Sequence, residues 1–467
     1  MSNTLPKTSN FTQKVRRDVT GGKRGTGGDG IAIDMSVDED AIIFGAPDDN
    51  LTSFAGLVPF GAFLRSVGVI KRLEQFESLK APNRVYGMPD MIRMLLLALA
   101  AGQTRPFGIE VLAGDQGFRK LMNDGIPGLD TVYRDLSRFN DEAATRLGEI
   151  VVKFGLDAVA AAVGTQKRVH LDIDTTVLSV FGDPQGAAVG YNPKYHGRKS
   201  YQPIIARVAG VNAVVGGFFR PGDRSLGKDD IDAILQTVRA VRERLGMAVE
   251  IVVRVDSGGD FAALLDALAN EGVKYLIKAR WNAKIIDALD MAKWKTVERD
   301  ALRKATRAIT EVVVKPTAWE NLGHQPRLVA MVGEDRRGRT TPLPFLDVEG
   351  ALQVFVTNLT DDPESVTWDY DGRAGIEPLI GELKSDLGLQ EMAGSSYAAN
   401  QAMFLLKLLT LNLLHLFASR EFPRIAKWRV KWIRNALILV AGRFATSGRQ
   451  TFIHVPSCSM LAKRQLN

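Results

Sequence analysis

The stretch YDGRAGIEPLIGELK, residues 370–384, places a phenol, two cations and an acid at regular separations. Tyr370, Arg373, Glu377 and Lys384 follow one another at intervals of three, four and seven residues. A helix turns by about 100° per residue, so these side chains would fall within an arc of about 60°. The pattern predicts one helix with a polar line beside a core-facing apolar stripe. Surface salt bridges, such as Glu377 with Arg373, would explain any two of the four residues.

Two aspartates follow predicted strands. Asp174 comes after VHLDI and Asp256 directly follows EIVVRV. The carboxyl ends of strands are where ligand sites form in open α/β sheets. Taken alone, an aspartate at such a place is usually a turn or helix-cap residue. If the helix carrying Glu377 packs on the sheet, however, three carboxylates converge at one edge.

Three neighbouring carboxylates repel one another unless cations neutralise them. Two divalent ions roughly 4 Å apart would solve that problem and create a phosphoryl-transfer site. Oxygen ligands favour Mg²⁺, with Mn²⁺ able to substitute. We therefore expect Asp174, Asp256 and Glu377 to be both the catalytic residues and the metal ligands. Arg373, Lys384 and Tyr370 would then contact DNA phosphates flanking the reacting bond.

Other residues near these acids need an interpretation. Asp172 points to the same sheet face as Asp174 and would support it from behind. Glu382 lies off the line that Arg373 and Lys384 share, so it is a weaker candidate than Glu377 for the third acid of the site. Pro378 suits a first helical turn, which places Glu377 at a helix start and moves Tyr370 and Arg373 onto the incoming loop.

A second cationic segment, YNPKYHGRKS, supplies His196, Arg198 and Lys199 between two predicted strands. We interpret it as a loop that contacts DNA phosphates. An ordinary solvated loop is the alternative.

The elements that must position these groups alternate in type. Strand patterns over 168–182, 202–210 and 212–222 predict a meander. Helix, strand, helix and strand follow over 228–280, which indicates a mixed sheet with flanking helices. Residues 282–368 break this rhythm and predict a mainly β insertion that contains Trp319, which we interpret as a core or turn residue.

Charge and composition limit the function classes. The chain has 467 residues and a net charge of +7, and residues 419–467 alone carry ten Lys or Arg against one acid. The interleaved cations and tryptophans of RIAKWRVKWIR suit a phosphate backbone, although a solvated basic helix with buried tryptophans explains them equally well. A single cysteine and five scattered histidines argue against disulfides and zinc clusters. We expect no membrane span, because polar residues interrupt the apolar segment 402–418, and a cytoplasmic, nucleoid-associated location.

The order Asp174, Asp256, Glu377, with Tyr-x2-Arg-x3-Glu-x6-Lys around the glutamate, resembles the DDE transposases of bacterial insertion sequences. DIDTTV, VRVDSGGDF and YDGRAGIEPLIGELK are similar to that superfamily's YREK-signature branch, and GYNPKYHGRKSYQP resembles its IS-thirteen-eighty group. The resemblance covers about residues 165–460. It implies a ribonuclease H-like core with a β-rich insertion before the glutamate.

The domain boundaries expected on this basis run along the chain as follows: a flexible basic arm (1–50), a helical segment that is either DNA-binding or a plain packing bundle (51–165), the first part of the ribonuclease H-like core (166–281), the β-rich insertion (282–368), the end of the core with Glu377 (369–400) and a helical basic region (401–467).

The resemblance implies binding to terminal inverted repeats and cut-and-paste transposition by cleavage and strand transfer. The partners would be double-stranded DNA, at the transposon ends and the target, and a second copy of the chain, because two ends must be brought together. A nuclease or resolvase that stops at hydrolysis and a domesticated DNA-binding regulator remain alternatives.

Overall fold

The computed structural model describes residues 48–280, 282–290, 292–298, 306–314, 319, 322–333 and 351–464. Its strands are β1 (Leu51–Thr52), β2 (Arg168–Thr175), β3 (Leu178–Ser179), β4 (Ala188–Val189), β5 (Lys199–Tyr201), β6 (Ile204–Val208), β7 (Val214–Phe218), β8 (Glu250–Val255), β9 (Lys274–Lys278), β10 (Lys295–Glu298), β11 (Thr306–Val312), β12 (Arg327–Gly333), β13 (Ala351–Thr357), β14 (Gly442–Ser447) and β15 (Gln450–His454).

The described residues also form α-helices along the whole of this range. They are α1 (Leu57–Ser66), α2 (Val69–Leu73), α3 (Met88–Ala100), α4 (Gly108–Ala113), α5 (Gln116–Leu121), α6 (Leu129–Leu136), α7 (Asp141–Val163), α8 (Ile231–Leu245), α9 (Ala262–Asn270), α10 (Ala283–Asp290), α11 (Pro363–Asp371), α12 (Ile376–Asp386), α13 (Tyr397–Glu421), α14 (Val430–Leu437) and α15 (Met460–Arg464). The helical pattern expected over 51–165 corresponds to α1–α7.

In the described part of the chain, nine strands form one mixed sheet in the order β10-β11-β12-β13-β9-β8-β2-β6-β7. β2, β6 and β7 are an antiparallel meander, and β8 and β9 then return parallel to β2 through α8 and α9. The order β7-β6-β2-β8-β9 with these directions is that of a ribonuclease H-like core. The predicted meander followed by alternating helices and strands is confirmed.

The β-rich segment before α11 extends this sheet. β13 pairs antiparallel with β9, and β12, β11 and β10 continue outward from it. Trp319 is 3% exposed and packs in the core with strands and helices of the central sheet. The interpretation of Trp319 as a core residue is therefore confirmed.

Strand alternation assigns the two sheet faces different partners. Leu171, Ile173 and Val253 pack with the apolar residues of α8, α9 and α10. Val252, on the other face, packs in a cluster with Val366 of α11. Because side chains alternate along a strand, Asp172 and Asp174 lie on this second face. The sheet thus presents its acids towards the side of α11 and α12.

The N-terminal and C-terminal helices share one apolar core. Buried residues from α1, α3, α6 and α7 belong to the same cluster as those of α12, α13 and α14. Within the described residues, one helix, Tyr397–Glu421, is long and apolar enough to cross a membrane, but 94% of its most apolar window is buried in the protein. The prediction that the apolar segment is a core helix is confirmed.

Two polar side chains fix α13 in this core. Asn412 is fully buried, accepts a hydrogen bond from the Val214 main-chain N–H at 2.8 Å and donates to the carbonyls of Val151 at 2.9 Å and Val214 at 2.8 Å. It joins α13 to α7 and to β7. Lys407 is 1% exposed and donates to the carbonyls of Gly388 and Glu391, each at 2.6 Å. These bonds satisfy groups whose burial would otherwise be costly.

Candidate active site

Neighbouring strands place Asp174 and Asp256 side by side. Asp174 lies near the end of β2, and Asp256 directly follows β8. β2 and β8 are parallel, with Asp172 paired to Arg254, so the same register continued by two residues sets Asp174 beside Asp256. Adjacent strands are about 5 Å apart. Both carboxyls therefore emerge at one edge of the sheet.

Glu377 approaches this edge from α12, where it is the second residue of the helix. It is exposed, whereas Asp174 has only 15% of its side chain exposed. Burial raises the pKa of the Asp174 carboxyl to about 6; the charges of Asp256 and Glu377 add to the rise, while Arg373 and the Thr175 N–H oppose it. The three predicted acids thus share one electrostatic environment.

Arg373 neutralises part of this charge. Its Nη2 lies 2.9 Å from Asp174 Oδ1, and 10% of its side chain is exposed. Its buried Nε has no hydrogen-bond partner in the described residues. The guanidinium is therefore held at the acids with one donor still free for an acceptor.

Lys384 and Tyr370 complete the surroundings of the acids. Lys384 Nζ donates to the Val177 carbonyl at 3.0 Å, and burial lowers its pKa although Asp174 opposes this. Tyr370 is 9% exposed and donates to the carbonyl of Val255 at 3.4 Å. Its hydroxyl contacts the main chain beside Asp256, whereas the sequence interpretation directed it at a DNA phosphate.

The expectation of one continuous helix over 370–384 is wrong. α11 ends at Asp371, a 3₁₀ turn spans Gly372–Gly375 and α12 begins at Ile376. A Cβ on Gly372 would lie 2.6 Å from Arg254 Nη1, and one on Gly375 would lie 2.3 Å from Arg207 Nη2. A side chain at either position would force the neighbouring guanidinium to shift, and glycine avoids this. The alternative placement of Glu377 at a helix start is the one the structure adopts.

A buried ion cluster beneath the acids was missed by sequence reasoning. Asp172 is fully buried, with Oδ1 2.6 Å from Arg254 Nε and Oδ2 3.3 Å from Arg207 Nε. Arg254 also donates to the Asp369 carbonyl, which fastens the sheet to the end of α11. The available signal was an arginine inside each apolar strand, EIVVRV and IIARV. Asp172 has the supporting position expected for it.

Glu382 is not part of the acidic site. It is 4% exposed, its Oε1 lies 3.0 Å from His415 Nε2, and it accepts a hydrogen bond from the Val430 N–H at the start of α14. Its role is to anchor α14 on α12.

The donor chemistry of Asp174, Asp256 and Glu377 suits a hard divalent cation, because all three offer carboxylate oxygens and repel one another. Among the described residues, no three acidic, histidine or cysteine side chains lie in a group that could hold a metal ion. The Asp174 carboxylate forms an ion pair with Arg373. The residues fit the ion by type, while their conformation is that of an ion-paired site.

His196 and Arg198 precede β5 of the small sheet β3-β5-β4, whereas Lys199, expected in a loop between strands, is the first residue of β5 itself. His196 is exposed. The Arg198 guanidinium lies 4.5 Å from the centre of the Phe181 ring, and Lys199 Nζ lies 2.5 Å from Asp183 Oδ1. All three predicted cations are therefore at the surface or half-buried.

The family described as Transposase DDE domain group 1 matches residues 39–465. No curated protein matches the sequence. The piggyBac transposase in its synaptic complex with hairpin DNA is 11% identical over 81% of this chain and 78% of its own, with a TM-score of 0.44. The Mos1 transposase in its paired-end complex with the left transposon end is 12% identical over 39% of this chain and 60% of its own, with a TM-score of 0.17. The family match spans most of the chain, which therefore belongs to the DDE transposases, enzymes of DNA transposition.

Proposed function

We propose that this transposase binds the terminal inverted repeats of an insertion sequence and carries out cut-and-paste transposition by cleaving and joining DNA strands. We assign it to the YREK-signature branch, because Tyr370, Arg373, Glu377 and Lys384 have that signature's spacing, and to the IS-thirteen-eighty-like group, which GYNPKYHGRKSYQP (190–203) resembles. The observation that carries the proposal is the placement of Asp174 and Asp256 at the ends of neighbouring parallel strands, with Arg373, four residues before Glu377, ion-paired to Asp174 at 2.9 Å.

Asp174, Asp256 and Glu377 would hold two Mg²⁺ ions, with Mn²⁺ able to substitute. Such ions would supply the activation of a water or 3′-hydroxyl and the stabilisation of the leaving oxygen. The support is the chemistry of the donor set: three carboxylates on a shared edge, with the carboxyl of Asp174 already destabilised in its charged form by burial and like charge. DDE transposases in general use divalent metal ions.

The neighbouring side chains have separate tasks in this proposal. Arg373 keeps Asp174 charged and would bring its positive charge to the reacting phosphate. The Lys384 ammonium places a positive charge near the Asp174 carboxylate and donates a hydrogen bond to the Val177 carbonyl. Tyr370 positions the strand end that carries Asp256 through the Val255 carbonyl. All three roles orient groups around one reacting phosphate.

A second basic surface would hold the duplex. Trp428 and Trp432 are 43% and 55% exposed, and Lys431 Nζ lies 5.7 Å from the Trp432 ring centre. The alternative of two buried tryptophans is wrong, because α14 turns its apolar face inward through Val430, Ile433 and Leu437. Exposed rings beside cations suit a DNA backbone. A homodimer on paired ends and a cytoplasmic, nucleoid-associated location complete the proposal.

The test is to change each acid separately. Asp174→Asn, Asp256→Asn and Glu377→Gln should each abolish cleavage of an end-containing duplex in Mg²⁺, since a missing ligand removes the metal's contribution to phosphoryl transfer. Binding of the same duplex should persist. Glu243→Gln, at an exposed acid of α8, is the matched control for loss of one negative charge.

Three outcomes separate the alternatives. Normal cleavage by one of the acid variants would remove that residue from the metal site. Nicked ends that never yield joined product would indicate a nuclease or resolvase. Binding without cleavage by the unaltered protein would indicate a regulator.

A further inference from the structure

Three exposed aromatic rings lie on the segment that follows β2. Phe181 is 83% exposed and Tyr195 is 41% exposed, and both belong to the connection between β2 and β6. Tyr191, 76% exposed, lies on the same connection. Large rings left in water carry an unfavourable hydration cost and commonly mark an interaction surface.

Cations organise these rings. The Arg198 guanidinium lies 4.5 Å from the Phe181 ring centre and 4.7 Å from the Tyr195 ring centre, and Lys194 Nζ lies 5.2 Å from the Tyr195 ring centre. We name Phe181, Tyr195, Lys194 and Arg198 the aromatic platform. It combines two exposed side chains, whose rings have cations over them, with two positive charges.

The platform is held in place by buried polar side chains. Asn192, 4% exposed, accepts from the Tyr195 N–H at 3.0 Å and the Lys194 N–H at 3.3 Å, and donates to Ser179 Oγ at 2.9 Å. Gln202, 5% exposed, donates to the Tyr191 carbonyl at 2.8 Å. The main chain that carries Lys194 and Tyr195 is therefore fixed by Asn192.

The platform borders the acidic site. The charges of Asp174 and Lys194 both act on the Lys384 ammonium, in opposite directions. Lys384 also donates to the carbonyl of Val177, at the start of the segment that carries Phe181. A DNA strand whose phosphate lies at Asp174 would thus have its next nucleotides beside Lys194 and the rings.

We propose that the aromatic platform binds unpaired nucleotides of the DNA end next to the reacting phosphate, with bases stacked on Phe181 and Tyr195 and phosphates paired with Lys194 and Arg198. The inference rests on the proposed function and deepens it. Ring faces are available for stacking only on bases that have left the duplex, and such stacking tolerates any sequence. The interleaved cations match a phosphate chain and would be poorly matched to an apolar protein partner.

The experiment measures the binding of fluorescein-labelled oligothymidine and of a blunt duplex by the full chain in EDTA, by fluorescence anisotropy. The double variant Phe181→Leu, Tyr195→Leu should lose at least about tenfold in affinity for oligothymidine. Its affinity for the duplex should change by less than about twofold, because paired bases offer no face to the rings. Phe107→Leu, at a ring that is 58% exposed on the helical side of the protein, is the control.

Equal losses on both probes, or no loss on oligothymidine, would overturn the platform's role. A change in the oligomeric state of the double variant, with its oligothymidine affinity intact, would assign the surface to protein contacts instead. These readouts need no cleavage. If the platform fails this test but the protein cleaves DNA ends, the proposed function stands and the platform's role is refuted. If the oligothymidine effect is found but the protein never cleaves DNA, the platform's role stands and the proposed function is refuted.

Discussion

Changing Asp172 to Asn should destabilise the fold far more than the same change at Asp174, two residues further along β2. The Asp172 carboxylate is fully buried and contacts Arg254 and Arg207, whose side chains are 2% and 8% exposed. Removing its charge leaves two buried guanidiniums without a counter-charge. Breaking a buried pair in this way costs about 3–5 kcal/mol, so we expect a loss of about 4 kcal/mol in the free energy of unfolding.

Asp174→Asn should leave stability at neutral pH unchanged or increase it. Burial, with the charges of Asp256 and Glu377, raises the pKa of Asp174 from 3.8 to about 6 in the folded protein. The folded state then holds its proton more tightly than the unfolded state, so stability falls as pH rises from about 4 to about 6 and the loss is complete at pH 7. A shift of about two units corresponds to at most about 3 kcal/mol, which a neutral amide would recover.

Urea unfolding at pH 7 in EDTA, followed by tryptophan fluorescence, measures both variants under one condition. Asp229→Asn, at a side chain that is 83% exposed, should shift the free energy of unfolding by no more than about 0.5 kcal/mol. A loss below about 1 kcal/mol for Asp172→Asn would refute the buried ion cluster as a stabilising unit. An equal loss at the two aspartates would refute the argument from like-charge repulsion at Asp174.

Three further predictions concern the core and the basic surface. Burial lowers the pKa of Lys407 to about 7, so between pH 7 and pH 10 the folded chain has lost a proton that the unfolded chain still holds, and wild-type stability should rise with pH over this range. Lys407→Met should flatten the curve obtained from urea unfolding at several pH values, and parallel curves would contradict this. Asn412→Ala removes the side-chain partner of three buried main-chain groups and should lower the free energy of unfolding by about 3 kcal/mol or more. Asn270→Ala, at the surface, should lower it by a few tenths of a kcal/mol, and urea unfolding measures both variants. Lys431→Ala should lower the salt slope of duplex binding by about one, and an unchanged slope would exclude a phosphate contact.

The sequence predicts the central sheet because its signals are local. β-branched runs over 168–175 and 250–255 bury one or both faces, and turn residues separate the strands that follow. Strand-end acids could be selected for the same reason, since periodicity alone fixes the face on which Asp174 stands. The α/β rhythm and the candidate acids thus follow from short-range physics.

The break between α11 and α12 follows from long-range contacts. Gly372 and Gly375 weaken a helix locally. The side chains that lie where their Cβ atoms would be are those of Arg254 and Arg207, more than a hundred residues away in the chain. The ion pair of Arg373 with Asp174 has the same origin. Pattern reasoning could propose the participants of the site and, through Pro378, a helix start at Glu377, but it could not supply the contacts with Arg254 and Arg207 that accompany the turn.

The shared core of the first and last helices has a consequence for how the protein is made. Residues of α1, α3 and α7 bury their apolar faces against α13, which leaves the ribosome only after residue 421 has been added. The apolar faces of these early helices stay partly exposed to water until α13 has been translated, because their long-range partners do not exist before then. Glu377 is also translated late. In the proposed function Glu377 is a metal ligand, so a growing chain would be unable to cut DNA before α12 has been translated.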